Sequence, residues 1–179
     1  MNVLFINGSL NKSSNTKALI NYFSSLFDES NHIFYWSFED TPLPFMDPEY
    51  YGCEIEQQPN KNVRQFITAI NTSDIVIFAS PTYHGTVSGV LKNAFDHLEK
   101  GIFAGKAIIV ASVAGGIRSS TPTCDALRSI IRALGENCLI EHISAGGSDF
   151  SQKAEVIELV SQNVQERCRS AIRELFGQK

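Results

Sequence analysis

Ile75-Val76-Ile77-Phe78-Ala79-Ser80-Pro81-Thr82-Tyr83-His84-Gly85-Thr86-Val87-Ser88-Gly89-Val90-Leu91-Lys92-Asn93-Ala94-Phe95 is the stretch on which the fold turns. Ile75 to Ala79 is an unbroken apolar run with no polar face, the pattern of a strand covered on both sides. Pro81 stops strand pairing, Gly85 and Gly89 mark a loop, and Val90, Leu91, Ala94, Phe95 and Leu98 then recur at helical spacing. A buried strand, a short loop and an amphipathic helix make the repeating unit of a parallel α/β sheet.

Working outward, the same unit recurs along the chain. Val3 to Ile6 reads as a first buried strand, followed by a small polar loop and a helix from Asn15 to about Phe27. His32 to Trp36 is a second strand, and Ser37 to Pro59 a long irregular connection holding Pro42, Pro44, Pro48 and Pro59. Val63, Phe66, Ile67 and Ile70 mark a helix ending near Thr72. Beyond the central stretch, Ala107 to Ala111 is a fourth strand, and Ala126, Leu127, Ile130, Ile131 and Leu134 line a helix stopped by Gly135. Leu139 to Ile143 is a fifth strand, and Val156, Leu159, Val160, Val164, Cys168, Ile172 and Leu175 predict a long last helix. Strict alternation predicts one domain over residues 1–179: a doubly wound, five-stranded parallel sheet of flavodoxin-like order 2-1-3-4-5 with helices on both faces.

Composition narrows the function. With 179 residues, 43% of them hydrophobic and 19% charged, the chain is an ordinary globular domain, neither disordered nor a coiled coil. A net charge of −4 argues against nucleic-acid binding through a broad basic face. Cys53, Cys124, Cys138 and Cys168 are scattered without metal-ligand spacing, and His32, His97 and His142 do not group, so no metal site is expected and the thiols read as reduced. The opening residues lack a basic segment and a long apolar core, and no stretch approaches the ~20 apolar residues of a membrane helix, so the expectation is a cytoplasmic protein that does not enter a membrane.

Ligands of such sheets bind beyond the carboxyl ends of the strands, where strand order reverses. Here that means the loops after strands one, three and four. The first, Asn7-Gly8-Ser9-Leu10-Asn11-Lys12-Ser13-Ser14-Asn15-Thr16, runs into a helix start and is dense in hydroxyls and amides, a place suited to phosphate. The plainer reading is a turn with a helix cap, and the loop alone leaves both open. It has no Gly-Lys-Ser/Thr, no G-x-G-x-x-G, no Cys-x5-Arg and no acidic pair, which argues against nucleotide hydrolysis, a Rossmann dinucleotide site, a small phosphatase and a phospho-receiver. Tyr83 and His84, in the loop after the third strand, suit a planar ring, the plainer reading being a capped helix with a surface aromatic. Together the loops suggest a phosphate joined to a flat heterocycle.

These residues resemble a known family. Gly8-Ser9 with Ser14 and Thr16, Pro81-x-Tyr83-x-Gly85, and Gly89-Val90-Leu91-Lys92-Asn93-x-x-Asp96 are similar to the NADPH-dependent FMN reductases, and Leu43-Pro44-Phe45 and Ala114-Gly115-Gly116 match the same layout. The resemblance implies that Ser9, Asn11, Ser14, Asn15 and Thr16 hold the FMN phosphate. It places Pro81, Thr82, Tyr83, His84 and Gly85 along the isoalloxazine, and Ser112, Gly115 and Gly116 near its pyrimidine side. Asn11 stands where the family commonly has arginine, Thr82 where it has Glu or Val, and His84 where it has Asn.

The resemblance further implies hydride transfer from NADPH or NADH to flavin N5 and on to a small acceptor: flavin, quinone, azo compound or metal oxyanion. Kinetics would be ping-pong, with no obligatory catalytic acid or base. His84 is a contact residue or a tuning group, and Arg118 either meets the 2′-phosphate of NADPH or is an exposed arginine. Lys92 and Asp96, four apart, read as a surface ion pair. A homodimer or homotetramer is implied, because a second subunit often completes the flavin pocket. Two related readings remain: a reductase supplying free reduced flavin to a partner monooxygenase, suggested by the run from Gly115-Gly116 to Asp125-Ala126-Leu127-Arg128, and a flavodoxin-type electron carrier, usually far more acidic than −4. A third is a flavin-free regulatory protein that keeps the fold.

Overall fold

The structure, a computed structural model, describes residues 1–139 and 141–177. Five parallel strands, β1 (Asn2–Asn7), β2 (His32–Ser37), β3 (Ile75–Pro81), β4 (Ala107–Val113) and β5 (Ile143–Ala145), stand in the order β2-β1-β3-β4-β5. Between them run α1 (Asn15–Ser24), α2 (Lys61–Asn71), α3 (Gly89–Asp96) and α4 (Ile117–Ala133), and α5 (Gln162–Leu175) closes the chain. This is the flavodoxin-like arrangement expected from the alternation.

Side chains alternate across each strand, so the apolar runs feed two cores. Leu4, Ile6, Val76, Phe78, Ile108 and Val110 pack on one face with residues of α2, α3 and α4; Val3, Phe5, Ile75, Ile77, Ile109 and Ala111 pack on the other with residues of α1 and α5. Helix starts follow local chemistry. Ser14 Oγ accepts the Lys17 amide at 3.1 Å, and Asn60 Oδ1 accepts the amides of Asn62 and Val63 at 2.9 and 3.2 Å. Each satisfies donors that the first turn leaves open. Lys92 and Asp96 form the exposed pair expected on α3. The connection 38–60 is irregular apart from two short 3-10 turns, Pro48–Tyr50 and Ile55–Gln57.

Three expectations are corrected. The last helix begins at Gln162, not Val156; residues Phe150–Lys153 (β6) and Val156–Leu159 (β7) form an antiparallel hairpin. Ile157-Glu158-Leu159 alternates like a strand, and Val156 and Leu159, three apart, and Val160 and Val164, four apart, match helical spacing by coincidence. The fifth strand is Ile143–Ala145 rather than Leu139–Ile143; Leu139 still donates its amide to the Ile108 carbonyl at 2.8 Å, and Ile140 lies outside the described residues. Finally, α4 starts at Ile117 rather than near Ala126. Its first turns are buried through Ser120, Thr123 and Cys124, small residues that leave no apolar stripe to read, and the helix carries Pro122 inside it. All four cysteines are free, and burial pushes the thiols of Cys138 and Cys168 up to about 11 and about 12, so both stay protonated at neutral pH. Among the described residues no helix is long and apolar enough to cross a membrane.

Candidate functional site

The loop after β1 is shaped by its own side chains. Asn7 Oδ1 accepts the Ser9 amide (3.0 Å), Ser9 Oγ accepts that of Asn11 (3.2 Å), and Asn11 Oδ1 accepts that of Ser13 (3.0 Å). Every second amide is thereby used up in folding the loop. The alternate ones, of Leu10, Lys12 and Ser14, and those of Asn15 and Thr16 in the first turn of α1, have no acceptor among the described residues. Free main-chain donors in the loop and first turn at the positive end of a helix could hold an anion. Asn11 thus acts on the loop's shape at the position where the resemblance would have put an arginine.

A buried serine pair locks this loop to the next. Gly8 donates to Ala79 O at 2.8 Å, and Ser88 Oγ donates to Gly8 O at 2.7 Å while accepting the Leu91 amide at 3.4 Å as the cap of α3. Ser80 Oγ in turn accepts the Ser88 amide at 3.0 Å. A Cβ on Gly8 would meet Ala79 O at 3.0 Å and Ser88 Oγ at 3.1 Å, so the close approach needs glycine there.

Beyond β3, Tyr83 and Thr86 exchange both main-chain hydrogen bonds, at 3.0 and 3.2 Å, around His84 (φ 51°) and Gly85 (φ 86°). Two positive φ values in a two-residue loop make a type I′ turn. His84 is therefore held in a backbone conformation that favours Asn and Gly. Gly85→Ala is expected to lower stability by about 1–2 kcal/mol, read from urea midpoints, while His84→Asn leaves it unchanged or raises it.

The loops after β4 and β5 close the other side. Thr82 donates its amide to Val113 O (2.7 Å) and shares a hydrogen bond with the Thr123 hydroxyl (2.8 Å). Gly147 donates to Gly115 O at 3.1 Å. The result is an open cleft of about 380 Å³ at the carboxyl edge of the sheet, bounded on its far side by Ile157 of the β6–β7 hairpin.

Nine of the thirteen residues expected at the site line this cleft: Ser9, Asn11, Ser14, Asn15, Thr16, Pro81, Thr82, Tyr83 and Gly115. His84 and Gly85 sit at the exposed tip of the turn, and Gly116 caps α4 just outside. Ser112 lies beneath: it is fully buried, and its hydroxyl donates to Ser120 O at 2.6 Å and lies 3.1 Å from the Cys124 sulfur, whose thiol burial holds above its ordinary pKa. Ser13, Val113, Ala114, Gly147 and Ile157 join the lining. Of these, Gly147 and Ile157 came from the segment misread as helix and its approach; the alternation Ile157-Glu158-Leu159 was the available signal.

Comparison with known proteins follows the same lines. The sequence model of the NADPH-dependent FMN reductases matches residues 1–147. An FMN-dependent NADPH-azoreductase of Staphylococcus haemolyticus (strain JCSC1435) is 31% identical over 153 residues, covering 85% of this chain and 80% of its own. The protein of the same description from Staphylococcus aureus (strain USA300) is 32% identical over 157 residues, with the same coverage of 85% and 80%. Among solved structures, the flavoenzyme NAD(P)H:(acceptor) oxidoreductase FerB from Paracoccus denitrificans matches with a TM-score of 0.76 at 18% identity, over 99% of this chain and 98% of its own. An FMN-dependent NADH-azoreductase from Bacillus anthracis in complex with FMN matches with a TM-score of 0.67 at 17% identity, over 97% and 99%. At such identities the two structures speak for the fold alone.

Proposed function

Since the chain belongs to the NADPH-dependent FMN reductase family, we propose that the cleft at the carboxyl edge of its sheet binds FMN and that the protein passes hydride from NAD(P)H to a small electron acceptor such as a quinone, a flavin or an azo compound. One observation carries the placement: five main-chain amides have no acceptor among the described residues, those of Leu10 and Lys12 in the loop after β1 and those of Ser14, Asn15 and Thr16, which line that cleft at the start of α1. The donor set fits a phosphate monoester, and the aromatic and small residues beyond it, Pro81, Tyr83 and Gly115, fit a flat ring.

The residues divide the work. The hydroxyls of Ser9, Ser14 and Thr16 stand around the free amides and add neutral donors. Thr82 and Tyr83, tied to Val113 and to the type I′ turn, set one wall, and Gly115 with Gly147 sets the other. Bound FMN supplies the hydride-accepting ring; the protein supplies position and excludes water from one side. Reductant and acceptor are proposed to use the same exposed face in turn, giving ping-pong kinetics. Leu10 and Tyr83 on loops and Ile117 at the start of α4, each about half exposed beside the cleft, favour a second copy of the chain packing there.

The test is an absorbance spectrum after loading with FMN and desalting, followed by NADPH without oxygen. Retained flavin that bleaches is the expected result. Flavin that washes off yet is reduced when supplied free selects the flavin-supplying reading. A protein that neither binds flavin nor oxidises NADPH overturns the proposal.

A further inference from the structure

A second cavity, of about 490 Å³, opens on the other flank of the loop after β1, between α1 and the outer strand β2. Asn11 lines both this cavity and the cleft, so the two adjoin across a single residue of the loop. Its volume lies in the usual range for a small-molecule site, roughly 300–1,000 Å³.

The wall combines three chemistries. Tyr35 is 59% exposed, and its ring is stacked on the buried Phe5, centroids 5.8 Å apart at 24°, which holds the phenol as a flat platform. Glu39 and Asp40 follow the carboxyl end of β2 and line the same space. A carboxylate in that position after the second strand accepts hydrogen bonds from ribose hydroxyls in dinucleotide-binding sheets of the same β1–α1–β2 connectivity. Lys12 and Lys17 contribute ammonium groups; Lys12 is 3.1 Å from Glu39, while Lys17 has no ion-pair partner among the described residues. An aromatic platform, acceptors for a diol and an uncompensated cation match a purine, a ribose and a phosphate in turn.

We propose that this cavity is a subsite for an adenosine 5′-phosphate group, with the purine against Tyr35, the ribose at Glu39 and Asp40, and the phosphate toward Lys17. Two sources would bring that group past Asn11. It is the distal half of a flavin dinucleotide whose first phosphate sits on the loop, or it is the adenosine end of the nicotinamide reductant. Only this question of source rests on the flavin reading of the cleft.

The Trp36 indole packs against Phe66 on the opposite face of the sheet, so filling of the cavity is read by calorimetry. Titrating flavin-free protein with AMP is expected to release heat along a saturating curve. Tyr35→Leu should weaken the midpoint about tenfold, the worth of one base–aromatic stack, and Lys17→Gln several-fold. Lys17 is an exposed helix residue, so its variant keeps the test readable if Tyr35→Leu disturbs folding. Calorimetry on the FMN-loaded protein should still detect AMP. FAD binding at least about tenfold tighter than FMN, with the advantage lost in both variants, identifies the flavin dinucleotide. Equal FMN and FAD affinities, with variants that raise KM for NADPH at unchanged kcat, identify the reductant. No heat of binding with AMP, or binding that FMN abolishes and both variants leave intact, overturns the subsite. AMP bound here by a protein that takes no flavin would sustain the subsite and defeat the flavin reading.

Discussion

Ser14→Asp is expected to abolish retention of FMN while leaving the protein folded. Ser14 Oγ caps α1 by accepting the Lys17 amide at 3.1 Å, and aspartate caps a helix as well as serine does. Its charge even suits the helix N-terminus. The same carboxylate, however, would stand in the cleft beside the free amides of Asn15 and Thr16 and occupy or repel the place of a phosphate. Like charges brought together this way cost several kcal/mol, so affinity should fall by at least about 100-fold. Quenching of flavin fluorescence measures it, and thermal melting checks the fold. Ser14→Asn, neutral and an equal cap, should bind nearly as the parent does. Aspartate at position 14 with undiminished FMN affinity would move the phosphate off this loop.

The second large effect concerns Gly146. Its φ of −108° suits any residue, so what glycine provides here is space rather than conformation. A Cβ would stand 2.7 Å from the Ile117 amide nitrogen and 3.1 Å from the Gly116 carbonyl carbon, all of it backbone that cannot rotate away. Gly146→Ala is therefore expected to cost about 2–3 kcal/mol, in the range of overpacked cores. It should also push the start of α4 away from the end of β5 and widen the cleft at Gly115. Gly116→Ala, where a Cβ meets nothing within 4 Å, should cost at most about 1 kcal/mol, through a weaker helix cap. Urea unfolding of the pair separates the two; equal midpoints would show that the contact at Gly146 is not tight.

The central stretch announced the fold because parallel strands are buried on both faces, and Ile75 to Ala79 needs no alternation to be read. From it the loops after β1, β3 and β4 follow by topology, and nine of the expected residues do meet in one cleft. Ser112 shows how far that reasoning reaches. The sequence puts Ser112 in the loop after a strand ending at Ala111, but the strand runs on to Val113; strand neighbours point opposite ways, and Val110 and Ser112 face α4 while Ala111 and Val113 do not. Ile157 shows the opposite error. A run of alternating residues was assigned to a helix because two of its apolar positions also matched a 3.6-residue period, and the far wall of the cleft was lost with it.

The alternating pattern of used and unused amides in the loop after β1 has one more consequence. The side chains at positions 7, 9 and 11 turn the chain, while the donors at positions 10 and 12 belong to peptide bonds that every residue except proline carries. As far as these donors go, nearly any replacement of Leu10 or Lys12 except proline preserves them, and the protein's share of the proposed phosphate contact does not change with pH, because a peptide N–H does not titrate. Recognition of the charge is insulated from mutation at those two positions, and selection on them is left to whatever passes over the rim.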